Sequence, residues 1–209
     1  AGKFRGWRPR FFGDSIDGAT IGVIGMGLVG QALLKLLTGF DCETCYYDTN
    51  PLDAARERVL GAAAAPLDAV MSQSDFIVLA LPLTPATLGI VDSAFIAKMK
   101  PGSYLINPAR GSLVDEAAVV DALERDHLAG YAADVFEAED WARSDRPHTI
   151  HPGLISSQKT VLTPHIGSAV TQTRRQIVLS AAESIDAVLD GRTPDTIVNR
   201  DALKEVPHC

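Results

Sequence analysis

The sequence predicts an α/β protein in which helices cover both faces of a doubly wound, parallel β-sheet. Short apolar, strand-like runs alternate with amphipathic helical stretches along the chain, an order that is typical of parallel sheets. The run Phe76–Leu81 is apolar throughout, as expected for a strand that helices cover on both faces. With 209 residues, of which 46% are hydrophobic, the chain is long enough to bury a sizeable core.

Each predicted strand is a short run of apolar or β-branched residues. Thr20–Ile24 is rich in β-branched residues and stops at a glycine, and the second run closes at Asp48. The six predicted strands are Thr20–Ile24, Thr44–Tyr47, Phe76–Leu81, Tyr104–Asn107, Gly130–Val135 and Thr160–Thr163.

Each predicted helix is recognised by the spacing of its apolar residues or by its ends. Leu33, Leu34 and Leu37 fall at helical spacing. Acidic residues open the helix that starts at Asp115, which suits the helix dipole, and Gly191 ends the last helix. The predicted helices are Leu28–Leu37, Pro51–Val59, Pro66–Ser72, Asp115–Arg125 and about Ser168–Leu189, and Ala62–Ala65 is interpreted as a helix-prone patch.

The composition excludes several classes of partner. The formal net charge of −7 argues against nucleic acid or an anionic membrane surface as the main partner. No apolar run approaches the roughly 20 residues that a membrane-spanning helix needs. The basic, aromatic start of the chain has neither a signal-peptide core nor an initiator Met, and we interpret it as a cut edge.

The three cysteines do not form a disulfide framework. Cys42 and Cys45 make a C-x-x-C pair, but no second pair follows, so we favour a structural role over a redox or metal-binding one. No metal site is predicted. Sparse cysteines fit a reducing cytoplasm, which is the expected location.

A glycine-rich turn between the first strand and the first helix predicts a dinucleotide site. Gly25-Met26-Gly27-Leu28-Val29-Gly30 has the pattern G-x-G-x-x-G in the strand–turn–helix context that the motif requires. The first glycine permits the tight turn, the second lets the backbone approach a pyrophosphate, and the third lets helix and strand pack closely. The helix N-terminus then offers free N–H groups to the phosphates.

Two further segments extend this site. Asp48 ends the second strand, where an acidic residue accepts hydrogen bonds from ribose hydroxyls and repels a 2′-phosphate, so we expect NAD rather than NADP. Leu81 and Pro82 lie at the carboxyl end of the third predicted strand, at the edge where ligands bind, and we expect them to line the cofactor. Alternatively, Asp48 is an acidic turn residue and Pro82 only terminates the strand.

Charged residues follow the last three predicted strands. An arginine such as Arg110 binds an oxyanion through two parallel hydrogen bonds. His165 beside a glycine suits a general base, with Glu137 fixing its tautomer and raising its basicity. A surface arginine and a structural histidine are the alternatives, but three such groups at successive strand ends favour an active site.

Together with the glycine turn, the segments Asn107–Glu116, Ala133–Glu137 and Thr163–Ser168 resemble the D-2-hydroxyacid dehydrogenase family. The resemblance implies an NAD-dependent oxidoreductase, commonly a homodimer. It also implies that Arg110, Glu137 and His165 are the catalytic set, and that Asp134 and His165 belong to the cofactor-binding set.

A closer resemblance is to the phosphite (phosphonate) dehydrogenases within that family. It is carried by Gly130–Glu137, by Glu139–Arg143 and Asp145–Pro147, and by Pro164–Val170. It implies oxidation of phosphite with NAD⁺, with Arg174 helping to hold the anion and Trp7 lining the substrate pocket. A packing role for Trp7 and a solvated Arg174 are the alternatives. Oxidation of a 2-hydroxy acid by the same residues, and an NAD-sensing binding protein, are the rival functions.

The resemblance also predicts the domain organisation. Residues 1–168 form the dinucleotide-binding (Rossmann) domain with a leading linker, and residues 169–209 form a C-terminal helix and tail. The family has an N-terminal substrate domain, and we expect the chain to begin after it. The apolar face of the last helix is then expected to be partly uncovered; it comprises Ile177, Val178, Ala181, Ile185 and Val188.

Overall fold

The computed structural model describes residues 13–194 and 196–198, which contain a seven-stranded parallel sheet. The strands are β1 (Thr20–Ile24), β2 (Glu43–Tyr47), β3 (Ala63–Ala64), β4 (Phe76–Leu79), β5 (Ser103–Asn107), β6 (Leu128–Ala133) and β7 (Thr160–Leu162). The helices are α1 (Leu28–Leu37), α2 (Ala54–Leu60), α3 (Leu67–Gln73), α4 (Ser93–Lys98), α5 (Glu116–Glu124), α6 (Pro152–Ser156) and α7 (Thr171–Leu189). Short 3₁₀ turns occupy Gly111–Leu113 and Glu137–Glu139.

The predicted fold class is confirmed, and one segment was wrongly interpreted. Ala63 and Ala64 pair in parallel with Cys45 and Tyr46, so the alanine run contributes an edge strand and not a helix. The Ala65 amide continues the pairing by donating to the Tyr46 carbonyl, at 2.8 Å. Alanine has a high helix propensity, but pairing with β2 decides the conformation of so short a segment.

Two short helices were not predicted, although both have recognisable starts. Asp92 caps α4, its carboxylate accepting a hydrogen bond from the Phe95 amide at 2.8 Å. His151 caps α6 through its Nδ1, and Pro152 occupies the first turn. Helices of five or six residues show too few apolar positions for their spacing to be detected.

Helices cover the two faces of the sheet unequally. The larger core joins buried residues of α3, α4, α5 and α6 to those of β1, β4, β5 and β6, with α3 lying against β1 and β2. The smaller core packs α1 and α2 against β1 and β2. Each fully buried Leu or Ile contributes about 1.5–3 kcal/mol relative to an exposed one. The fully buried large residues include Ile24, Leu34, Tyr46, Ile77, Leu79, Leu105 and Leu128.

The strand order is β3-β2-β1-β4-β5-β6-β7, and it reverses at β1. The chain moves outward from β1 to β2 and β3, and then crosses back to place β4 on the other side of β1. The connections that leave the carboxyl ends of β1 and β4 therefore diverge and leave a crevice, the usual ligand position in such sheets.

The chain divides into two compact units. The first ends at Pro164 and contains the whole sheet, and the second begins at His165 and contains α7. In α7, Ala187 is buried, while Ile177, Val178, Ile185 and Val188 are each at least half exposed. Among the described helices, none is both long and apolar enough to cross a membrane.

Candidate active site

The glycine turn after β1 is built so that two of its positions exclude any side chain. Gly25 has φ +96°, a left-handed conformation, and a Cβ there would lie 2.5 Å from the carbonyl oxygen of Ala80. A Cβ on Gly30 would overlap the carbonyl oxygen of Gly25. The turn and the first helical turn of α1 are therefore packed backbone against backbone, as the motif predicts.

Gly27 has open space in front of it. It is the N-cap residue of α1, makes no side-chain cap, and a Cβ built on it would meet nothing within 4 Å. Leu28 and Val29, which follow it in the first turn of α1, are 89% and 63% exposed. An uncapped helix N-terminus facing open space fits a pyrophosphate, because its N–H groups and dipole favour a negative charge.

Asp48, one residue after β2, is fixed against the glycine turn. Its Oδ2 accepts a hydrogen bond from the Met26 amide at 2.6 Å, and its Oδ1 accepts one from the Asn50 amide at 2.8 Å. Each carboxylate oxygen has a second lone pair, so the same carboxylate can still accept from ribose hydroxyls.

A cleft of about 360 Å³ opens at the carboxyl ends of β1, β4 and β5, where the strand order reverses. Val29 lines it from α1, Leu81 and Pro82 line it after β4, and Arg110 lines it after β5. The structure thus brings the first turn of α1, the Leu81–Pro82 segment and Arg110 to one cleft.

The loop that carries Arg110 is held by a buried amide. Asn107 is fully buried, its Nδ2 donates to the Arg110 carbonyl at 2.9 Å, and its Oδ1 accepts from the Ala109 amide at 3.1 Å. The Arg110 side chain is exposed, and one guanidinium N–H donates to the Ala109 carbonyl at 2.6 Å. A guanidinium carries five N–H donors, so this contact leaves capacity for a bidentate anion.

Glu137 opens the 3₁₀ turn that follows β6, and its side chain is 19% exposed. Its Oε1 accepts from the Glu116 amide at 3.1 Å, and its Oε2 lies 3.7 Å from a guanidinium nitrogen of Arg143. Burial raises the pKa of the Glu137 carboxyl, while the Glu116 amide and the Arg143 charge act in the opposite direction.

Asp134 joins the ends of two neighbouring strands. It follows β6, and its Oδ1 accepts a hydrogen bond from the Thr163 hydroxyl, after β7, at 2.5 Å. Its amide donates to the Asn107 carbonyl at 3.2 Å. Its predicted contact with the cofactor stays a prediction.

His165 and Arg174 belong to the second unit. His165 is exposed and has φ +52°, a left-handed conformation that costs a non-glycine residue about 1–3 kcal/mol and is common at functional sites. Arg174 lies in the first turn of α7, and its Nη1 donates to the Ser168 hydroxyl at 3.4 Å. The meeting of His165 with Glu137 and Arg110 stays a prediction, and Trp7 lies outside the described residues.

Several residues that organise the site were not predicted. Asn107, Ser112 and Glu116 flank Arg110 in sequence and are all buried. Little in the sequence indicated this, because residues 107–116 mix polar and apolar types and only the fold shows which polar groups are buried. The contacts of Arg143 were not predictable either, because they depend on how two loops meet in space.

The described residues hold no group of three or more His, Cys, Asp or Glu side chains that could bind a metal ion. Cys42 and Cys45 are free thiols. Burial raises the pKa of the Cys45 thiol, which lies 3.8 Å from the Ser74 hydroxyl and belongs to β2.

The strand order, the glycine turn and the cleft define a domain of the dinucleotide-binding (Rossmann) class. The profile of the D-isomer specific 2-hydroxyacid dehydrogenase NAD-binding domain matches residues 1–167. The chain therefore belongs to this family, and it is an NAD-binding domain.

Known relatives agree with this assignment. The chain is 37% identical over 199 residues to a glyoxylate reductase of Pyrococcus furiosus, covering 95% of the chain and 56% of that protein. A glyoxylate reductase structure from Paecilomyes thermophila superposes with a TM-score of 0.82 at 30% identity, covering 91% of the chain and 55% of that protein. The structure of a D-lactate dehydrogenase with NAD⁺ from Lactobacillus jensenii superposes with a TM-score of 0.76 at 26% identity, covering 87% of the chain and 56% of that protein. The chain thus spans little more than half of these relatives.

Proposed function

We propose that the protein carrying this domain transfers hydride between NAD(H) and C2 of a small 2-hydroxy or 2-oxo acid, with glyoxylate as the first substrate to test. The observation that carries the proposal is Arg110, which lines the same cleft as the first turn of α1. A guanidinium there suits the carboxylate of a small acid. The relatives named glyoxylate reductase support this substrate class.

Each predicted catalytic residue has a defined role in this proposal. Bound NAD⁺ supplies the hydride acceptor, and the protein supplies position and charge. Arg110 pairs with the substrate carboxylate, and His165 accepts the hydroxyl proton as the C2–H bond breaks. Glu137 favours the protonated imidazole that results. In the reverse direction His165 returns the proton to the carbonyl oxygen while the hydride reaches carbon.

The test is an assay of the full-length protein with a panel of small acids. NADH oxidation is measured with glyoxylate and pyruvate, and NAD⁺ reduction with D-lactate, glycerate and phosphite. We expect the highest kcat/KM with a 2-oxo acid. Arg110→Lys should raise KM for that acid by about tenfold or more, because lysine loses the bidentate geometry. Arg125→Lys, at the exposed end of α5, is the matched control. Binding of NAD(H) without turnover of any panel member would favour a nucleotide-sensing protein.

Phosphite oxidation is the second candidate, and the segment after Glu137 favours it. Trp141 and Arg143 belong to the part of the sequence that resembles phosphite dehydrogenases, and Arg143 contacts both Glu137 and the Ser112 hydroxyl, two residues after Arg110. In this reaction water attacks phosphorus, His165 accepts the water proton, and hydride leaves phosphorus for NAD⁺, giving phosphate and NADH. Phosphite as the best substrate of the panel would replace the first proposal with this one.

The proposal includes a homodimer, which the family resemblance implies, and a cytoplasmic location, which the sparse cysteines favour. Light scattering during size-exclusion chromatography of the full-length protein measures its mass in solution. A monomeric mass at micromolar concentration would contradict the dimer without affecting the assignment of the reaction.

A further inference from the structure

The loop that carries Arg110 and the loop that carries Glu137 touch through their backbones. A Cβ built on Gly111 would overlap the Phe136 carbonyl group and the Glu137 amide nitrogen. Only a residue without a side chain permits this approach. This direct backbone contact therefore fixes the loop of Arg110 relative to the loop of Glu137, two of the predicted catalytic residues.

The residues after Glu137 fasten this contact. We call Ala138–Arg146 the brace segment. Its Asp140 carboxylate accepts a hydrogen bond from the Ser112 amide at 2.7 Å, and its Arg143 guanidinium donates to the Ser112 hydroxyl at 2.8 Å. Ser112 is only 1% exposed, so both contacts are largely withdrawn from solvent.

The brace segment is also fastened to itself. Asp145 binds the Arg143 guanidinium through two contacts, at 3.1 and 3.2 Å, which fixes the direction of that side chain. Arg146 donates to the Ala138 carbonyl at 3.1 Å and lies over the Trp141 ring, 4.6 Å from its centroid. These contacts hold Arg143 in place without help from Glu137.

Glu116 holds Glu137 from the opposite side. Glu116 is 4% exposed, and its Oε1 accepts from the Glu137 amide at 3.0 Å, while the Glu116 amide donates to the Glu137 carboxylate. Its Oε2 accepts from the His151 amide at 2.8 Å. A buried carboxylate with two backbone partners is a rigid support, because losing either partner would leave a buried charge unsatisfied.

We propose that Arg143 and Glu116 are positioning residues, which act on the reaction by fixing the place and the charge of Glu137 relative to Arg110. This inference rests on the proposed function, in which the Glu137 carboxylate supports a proton acceptor. Neither residue needs to touch the substrate for this role. Because Arg143 and Glu116 carry opposite charges, removing one or the other should change the titration of Glu137 in opposite directions, and this difference tests the proposal.

The charged groups around Glu137 act on its pKa in known directions. Glu116 and Asp115, from the start of α5, raise it through their negative charges, and Arg143, from the brace segment, lowers it. Burial raises the pKa of the Tyr131 hydroxyl, on β6, and the negative charge of Glu137 acts in the same direction. Removing the Arg143 charge should therefore raise the pKa of Glu137, and removing the Glu116 charge should lower it.

The test compares Arg143→Met, Glu116→Gln and the control Arg125→Met. The Glu137 carboxyl carbon is titrated by NMR in the 209-residue chain. We expect the Glu137 titration to move to higher pH in Arg143→Met and to lower pH in Glu116→Gln. Glutamine loses the charge and keeps only one acceptor oxygen for the two backbone amides that Glu116 binds. Arg125→Met should not move the titration. In the full-length protein, the acid limb of the plot of kcat against pH should move in the same directions. Arg143→Lys keeps the positive charge, so it should produce a smaller shift than Arg143→Met.

The outcomes separate this inference from the proposed function. Shifts of the same sign in both variants, or none, would overturn the inference, since general loosening of the loops has no reason to distinguish the two charges. A wild-type protein that turns over no small acid would overturn the proposed function, while the carboxyl titration would still decide whether Arg143 and Glu116 set the charge of Glu137.

Discussion

Asp48 combines an observed structural role with a proposed role in cofactor binding. Its carboxylate accepts hydrogen bonds from the Met26 and Asn50 amides. Its contact with ribose follows from the spacing of the motif and stays a prediction. The hydrogen bond to Met26 was not predictable from the sequence, since it depends on how the turn after β1 lies beside the end of β2.

Replacing Asp48 with asparagine removes its charge and keeps one of its two acceptor oxygens. Asp48→Asn can still accept a hydrogen bond from the Met26 amide but no longer repels a 2′-phosphate. We expect the preference for NAD over NADP to fall by about tenfold, measured as the ratio of the two dissociation constants by calorimetry on the 209-residue chain. Asp41→Asn, an exposed carboxylate, is the charge-matched control. An unchanged ratio would show that Asp48 does not face the ribose.

His165 is the residue on which proton transfer depends in the proposed reaction. His165→Ala in the full-length protein should lower kcat by about 10²–10⁴-fold, the usual loss when a general base is removed. The dissociation constant of NADH should change little. His148→Ala, another exposed histidine, should leave kcat near that of the wild type. Turnover near the wild-type rate in His165→Ala would refute the role of His165.

At the scale of elements, the sequence was most informative where a helix or strand is long and periodic. The bounds Leu28–Leu37 were predicted as they are observed, and Thr20–Ile24 likewise. The two-residue strand β3 and the short helices α4 and α6 were missed, because pairing and capping define them more than apolar spacing does. The loops that meet at Gly111 were also beyond prediction, since nothing local shows that residues 111 and 136 are neighbours.

The start of α1 offers a substitution that should affect binding and not folding. A Cβ on Gly27 meets no atom of the protein within 4 Å and would project into the space proposed for the pyrophosphate. Gly27→Ala should therefore leave the free energy of unfolding within about 1 kcal/mol of the wild type, as expected when no contact is disturbed. It should raise the dissociation constant of NADH by about tenfold or more.

Gly39→Ala is the matched control for Gly27→Ala, because its added methyl group also meets nothing within 4 Å but lies beyond the other end of α1. Urea denaturation and fluorescence titration of NADH measure the two effects. Equal affinities of both variants for NADH would exclude a phosphate position in front of Gly27.

At the scale of the whole molecule, the second unit presents apolar surface. The predicted apolar face of α7 was expected to be partly uncovered, and Ile177, Val178, Ile185 and Val188 are between 50% and 67% exposed. Contiguous apolar surface of this kind promotes association in a soluble protein. The periodicity of α7 showed which residues share this face, but not what contacts it.

Polar substitutions on α7 should therefore reduce self-association of the 209-residue chain. The double variant Ile177→Gln, Ile185→Gln should bind less of a hydrophobic fluorescent dye and scatter less light than the wild type at equal concentration. Glu183→Gln, on the same helix, removes a charge without removing apolar surface and should not reduce either signal. Unchanged dye binding in the double variant would show that this face of α7 is not accessible.

The boundary between Pro164 and His165 has an evolutionary consequence. The glycine turn, Asp48 and the cleft all precede it, while the proposed proton acceptor is the first residue after it. The proposed proton acceptor is therefore encoded after the residues proposed to bind the coenzyme and to support that acceptor. A recombination crossover between codons 164 and 165 would exchange His165 and α7 while leaving the glycine turn, Asp48, Arg110 and Glu137 in place.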